Sequence, residues 1–181
     1  MMVRAGACLI SALVLFSEAS ARTPVDACSL LTTAEIEAVQ GEPVTHVKSS
    51  VRQCFYTVAT FTKSVSLELA RGDAATPGSP GGPGAVGPRE QWNQMFHPDR
   101  SRPARPAGEA EQEKEQDKES SQPLPVKDLG DEAFWKGNTI TGGLYVLKND
   151  AWFRISVGGS EDSSLKIDKV RRLAQKAIAR L

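Results

Sequence analysis

Apolar and polar residues alternate with a period of two in several stretches of this chain, and other stretches carry a helical period. From Ser64 to Ala70, Val65, Leu67 and Leu69 alternate with Ser64, Ser66 and Glu68. A period of two marks a strand with one buried and one wet face in an antiparallel sheet. Cys54, Tyr56 and Val58 repeat it in the run from Cys54 to Phe61, and Val44 to Lys48 is a polar-rich, β-branched run. Leu129 to Trp135 reads as a turn leading into a strand. Leu144–Lys148 and Trp152–Val157 flank Asn149-Asp150, a hairpin turn. In the second of these runs Phe153, Ile155 and Val157 point one way, with Arg154 and Ser156 the other.

Helical spacing takes over elsewhere. Thr32 and Glu35 form a capping box at the start of a short helix. Ile36 and Val39 give it an apolar edge, and Gly41 is its C-terminal stop. Arg89 to Phe96 predicts a second short helix with Trp92 and Phe96 on one side. In the last element Ile167, Val170, Leu173, Ala174, Ala177, Ile178 and Leu181 recur at helical spacing. Its other face carries Lys166, Lys169, Arg171, Arg172, Lys176 and Arg180 against Asp168. The predicted fold is α+β: an antiparallel sheet of about five or six strands, with the N- and C-terminal helices packed on one face.

The pattern lapses over 72–88 and 99–125, which read as flexible insertions. Gly78, Gly81, Gly84 and Gly87 form a triplet repeat too short for a collagen helix. Its prolines lack N–H donors and no Gly-Lys-Ser/Thr follows, so it is no phosphate cradle. Residues 109–119 hold six acidic residues and two lysines, with no aliphatic side chain larger than Ala. Such a segment cannot bury enough surface to offset the entropy of ordering.

The N-terminus changes how the cysteines are read. Arg4, an apolar run from Ala5 to Phe16, and Ala19-Ser20-Ala21 have the layout of a secretory signal peptide over residues 1–21. The run is shorter than the roughly 20 residues of a membrane span. Cys8 precedes most of that run, so it is no usable lipidation site. A single mature domain, 22–181, is therefore expected in the periplasm or outside the cell. There Cys28 and Cys54 are expected to be bridged, the alternative being two buried thiols. Twenty-two basic residues balance twenty-two acidic ones, which argues against bulk attraction to nucleic acid.

Candidate chemistry is sparse. His46 and His97 are too few for a metal site, and no cofactor motif is present. Ser163 and Lys166 match Ser-x-x-Lys, but Ser163 reads better as a helix cap. Asp131 and Glu132 are an adjacent acid/base candidate or, alternatively, turn residues. Trp135, Tyr145 and Trp152 either line an apolar pocket or belong to the core. Lys169, Arg172 and Lys176 are candidate contacts to an anionic surface, on a face that is otherwise solvated or covered by the acidic segment 109–119.

Cys28-Ser29-Leu30-Leu31-Thr32, Glu35-Ile36-Glu37, Gly41-Glu42-Pro43-Val44, Cys54-Phe55-Tyr56 and the later Leu129–Trp135 resemble small exported bacterial proteins, often lipoproteins, classed as domains of unknown function. The resemblance spans both ordered halves but not residues 72–125. It implies an exported location and supports the Cys28–Cys54 bridge. It implies no activity and no catalytic residues. The expected function is a non-enzymatic binding or accessory protein of the bacterial cell envelope, whose partner is an envelope ligand or protein. The alternatives are a small envelope hydrolase using Asp131, Glu132 or His46, and a structural envelope component.

Overall fold

In the computed structural model, residues 25–72, 86–98, 122–137 and 142–181 are described. The expected signal segment, most of the glycine triplets and the acidic segment lie outside them. Seven strands form one antiparallel sheet: β1 (Val44–Ser49), β2 (Gln53–Val58), β3 (Val65–Arg71), β4 (Leu124–Pro125), β5 (Glu132–Gly137), β6 (Gly142–Lys148) and β7 (Ala151–Val157). Their order is β1-β2-β3-β7-β6-β5-β4. Two three-stranded meanders, β1–β3 and β5–β7, therefore meet along their last strands. Their register there pairs Val65 with Val157, Leu67 with Ile155 and Leu69 with Phe153. The α+β class with an antiparallel sheet stands as expected.

Because successive side chains in a strand point to opposite faces, that register aligns the apolar sets of both meanders on one inner face. Cys54, Tyr56, Val58, Leu67, Trp135, Leu144, Val146, Phe153 and Ile155 are buried there. Two helices cover it, α1 (Thr33–Gln40) and α3 (Ser163–Ile178). Thr32 and Glu35 make the full capping box, and Gly41 stops α1 in the left-handed conformation at φ 73°. Asp162, not Ser163, caps α3, its carboxylate accepting from the Leu165 N–H at 3.0 Å.

Ahead of α1, a short 3-10 turn (Ala27–Leu30) brings Cys28 to the start of β2, where it is bonded to Cys54 with the Cα atoms 5.0 Å apart. Closing a loop of this size stabilises by about 3–4 kcal/mol on the chain-entropy argument. Tyr56 reaches beneath the same turn and donates to the Leu31 carbonyl at 2.7 Å. Burial pushes its phenol up to about 12.

The third helix, α2 (Pro88–Phe96), packs on the opposite, outer face. The reason is local: Ala70, Leu147 and Trp152 leave their strands on that side and need cover. Lys166 is buried rather than part of the exposed basic face. It falls in the stripe of Val170, Leu173, Ala174 and Ala177, where a lysine stem packs as an apolar chain. Leu124 and Pro125, expected in a flexible insertion, pair with Trp135 and Phe134 as β4.

Gly130 shows why the turn before β5 is tight. Its φ is 59°, and a β-carbon there would lie 2.3 Å from the Leu147 carbonyl oxygen. Among the described residues no helix is long and apolar enough to cross a membrane.

Candidate functional site

The outer face divides into a covered half and an open half. Over β5, β6 and the start of β7, α2 lays Trp92 and Phe96 on Phe134, Tyr145, Leu147 and Trp152. The spacing of four residues puts both rings on one side of the helix. Phe96 stacks on Phe134 at 4.8 Å and meets Tyr145 edge-on at 5.3 Å. Polar bonds fix the helix at both ends. Arg89 donates to the Asn149 carbonyl at 2.6 Å. One oxygen of Glu132 takes the Trp92 indole N–H at 3.0 Å and lies 2.6 Å from His97 Nε2. Trp152 donates to Gln91 at 3.3 Å.

The open half spans β1 to β3 and the end of β7. Phe55 packs at 6.3 Å against Phe61, which is 69% exposed. Beside them a depression of about 470 Å³ is lined by Lys48, Ser49, Ser50, Gln53 and Phe55. At the boundary with the covered half stands Arg154. Its side chain lies across Gly143, where a β-carbon would be 2.6 Å from Nε and 2.8 Å from Ser156 Oγ. Both of those atoms are buried without a hydrogen-bond partner. The guanidinium sits 5.6 Å from the centre of the Tyr145 ring, a cation–π contact.

The aromatic trio expected to share a pocket is split by the sheet. Tyr145 and Trp152 lie on the outer face, 6.3 Å apart. Trp135 is buried on the inner face, because it is an odd number of residues from Phe134 and Glu132 along β5.

The basic helix face is also partly engaged within the fold. Lys169 bonds Glu161 at 2.6 Å and Gln40 at 3.0 Å, Arg171 donates to the Lys127 carbonyl, and Arg180 makes a two-pronged pair with Glu35. Arg172 and Lys176 remain exposed. With Leu165, Asp168 and Gln175, Arg172 and Lys169 border an open depression of about 750 Å³ on α3.

The acid/base candidates do not converge. Asp131 accepts from the Asn149 N–H at 2.7 Å and from Lys148 at 3.2 Å, and the first of these bonds lowers its pKa most. It ties the β6–β7 turn to β5. Glu132 holds α2, as described. His46 is on β1, at the other end of the sheet. The pairing of His97 with Glu132 depends on a contact 35 residues away that no local pattern announces. Arg154 carried a signal that was read only as strand alternation: a cation between Phe153 and Ile155 on a central strand. Among the described residues no group of three or more His, Cys, Asp or Glu is placed to hold a metal ion.

Comparison of the chain with family models, with curated proteins and with solved structures finds no match.

Proposed function

We propose that this is an exported, non-enzymatic binding protein of the bacterial cell envelope that holds its ligand on the open half of the outer sheet face. The single observation that carries the reading is the contrast within that face. Its covered half is closed by α2, whereas among the described residues its open half keeps the Phe61 ring exposed and the Nε of Arg154, at the boundary, without a hydrogen-bond partner. An exposed ring on a rigid sheet supplies contact area at little entropic cost. The Cys28–Cys54 disulfide is consistent with an oxidising compartment, and the N-terminal signal pattern supports export. The resemblance to small exported envelope proteins points the same way.

The hydrolase reading draws less support. Asp131 and Glu132 each serve as acceptors for the fold itself, and His46 lies far from both.

The test is native mass spectrometry of protein released from the periplasm. The expected result is a mature chain beginning near Arg22 that carries an adduct of reproducible mass. Phe55→Asp should remove the adduct, and Asp131→Asn should keep it. A chain free of adduct, together with substrate turnover lost in Asp131→Asn or His46→Ala, would overturn the binding reading in favour of the hydrolase.

A further inference from the structure

We infer that Arg154 is the anchor of an oxyanion site, one that takes the carboxylate or phosphate head of the ligand. The inference rests on the binding function proposed above and specifies its chemistry. Arg154 stands on β7 near the middle of the sheet, directly opposite Glu68 on β3 and Tyr145 on β6. Among the described residues it makes no hydrogen bond and no ion pair. Glu68, the nearest carboxylate by register, does not pair with it either.

A guanidinium is always charged and offers five N–H donors in a planar fork. Such a group held half-buried, with Nε buried and without a hydrogen-bond partner among the described residues, is stabilised when water or an anion meets the exposed part of the fork. Yet the fold positions this side chain with care. Gly143 leaves the groove in which it lies, since any β-carbon there would collide with Nε and with Ser156 Oγ. Tyr145 holds the guanidinium from one side by its ring face. Tyr145 is in turn fixed by Phe96 of α2, so the covered half of the face serves as the wall that orients the cation.

The surroundings favour an anion over a neutral ligand. The Ser156 hydroxyl beside Nε is buried and has no hydrogen-bond partner among the described residues. Lys136, opposite Gly143 on β5, adds a second positive charge on the same face. Planar oxyanions match the fork bidentately, and charge-assisted bonds of this kind are about twice as strong as neutral ones. Glu68 is the local opposing charge, and it disfavours ligands with a second negative group extending toward β3.

The site is tested by nitrogen–proton correlation spectroscopy of the mature, oxidised protein. Benzoate and inorganic phosphate are titrated separately at constant ionic strength. The Arg154 Nε–H signal and the backbone amides of Gly143 and Ser156 are followed. Saturable movement of these signals with either probe is expected, and the tighter probe identifies the head group.

Arg154→Gln should weaken binding by about tenfold or more, the effect of losing a charge-assisted pair. Gly143→Ala keeps every charge but displaces the guanidinium from its seat, and a loss of similar size is expected. No saturation with either probe overturns the site. So does binding that Gly143→Ala and Arg154→Gln leave unchanged, since that would be diffuse attraction to surface cations. An adduct from the periplasm that survives Arg154→Gln would refute this site while leaving the binding function standing.

Discussion

The two faces of the sheet solve different problems with the same strands. On the inner face every strand from β2 to β7 except the short β4 supplies buried apolar side chains, and α1 and α3 close over them. Two polar side chains there are paired with the fold: Tyr56 with the Leu31 carbonyl, and Gln40 with the carbonyls of Lys63 and Gly158 and with Lys169. On the outer face, among the described residues, one short helix covers one meander and none covers the other. Arg154 Nε and the Ser156 hydroxyl at the boundary have no hydrogen-bond partner among those residues. One face can thus be devoted to stability while the other keeps groups for recognition, because alternation along a strand separates the two sets completely.

The largest effect expected from breaking this contrast is on the inner side. Phe153→Ala removes a fully buried ring from the central strand and should cost about 3–5 kcal/mol. Chemical denaturation monitored by far-UV circular dichroism would measure it. A loss near zero would mean that the inner face is not the core.

An outer-face counterpart should be smaller and local. Glu132→Ala leaves the buried Trp92 indole N–H without its acceptor and should cost about 1–3 kcal/mol. Hydrogen exchange should show α2 amides opening faster while those of α3 keep their protection. Equal acceleration in both helices would show the two faces to be one cooperative unit.

Much of the inner face was legible in the sequence because it obeys simple periods. Val65, Leu67 and Leu69 announce a strand, Thr32 and Glu35 a helix start, and Val170, Leu173, Ala174 and Ala177 a packed helix side. The outer face was harder to read for physical reasons. Whether Trp92 covers Trp152 or meets the inner core depends on which way the chain returns after residues 73–85, and no period encodes that. Trp135 looked like a partner of Tyr145 and Trp152 by residue type alone, yet strand parity sends it through the sheet. Lys166 looked exposed because it is charged, though its position in the buried stripe was already visible. The candidate site was the least legible part. An unpaired arginine is defined by what fails to face it, and that is a property of register between β3, β6 and β7.

A smaller, pH-dependent effect tests how the inner layer is fastened at its edge. Arg180 bonds Glu35 at 2.7 and 2.8 Å and the Leu30 carbonyl at 2.8 Å, joining the end of α3 to the start of α1. The Glu35 carboxyl is lowered from 4.5 to about 2, first by the Arg180 hydrogen bond and further by its bonds with Thr32 in the capping box. A depressed acid stabilises the fold above its ordinary value, and that contribution is lost as pH falls from about 4.5 toward 2. Arg180→Met should therefore raise the Glu35 pKa in a carboxyl titration and flatten the stability curve in that window. The effect should stay modest because the pair is partly exposed and screened. If the titration of Glu35 is unchanged in Arg180→Met, the capping box alone depresses it, and the α1–α3 clasp contributes nothing measurable.

The smallest effect is expected at Phe61, where the contrast between the faces is most exposed to refutation. An aromatic ring usually contributes to a core, and among the described residues the Phe61 ring meets one other ring, that of Phe55, at a tilted 47°. Its exposure nevertheless means that little apolar area leaves water when the chain folds. Phe61→Ser should then change stability by no more than about 0.5 kcal/mol, read from the same denaturation curves as Phe153→Ala. A loss of several times that size would make the Phe55–Phe61 pair a second core, and the open half would be a closed one lacking only its cover. A neutral result would leave the ring without a structural reason for its size. Its contribution would then have to come from contact with a ligand, which is the role the open half of the outer face assigns it.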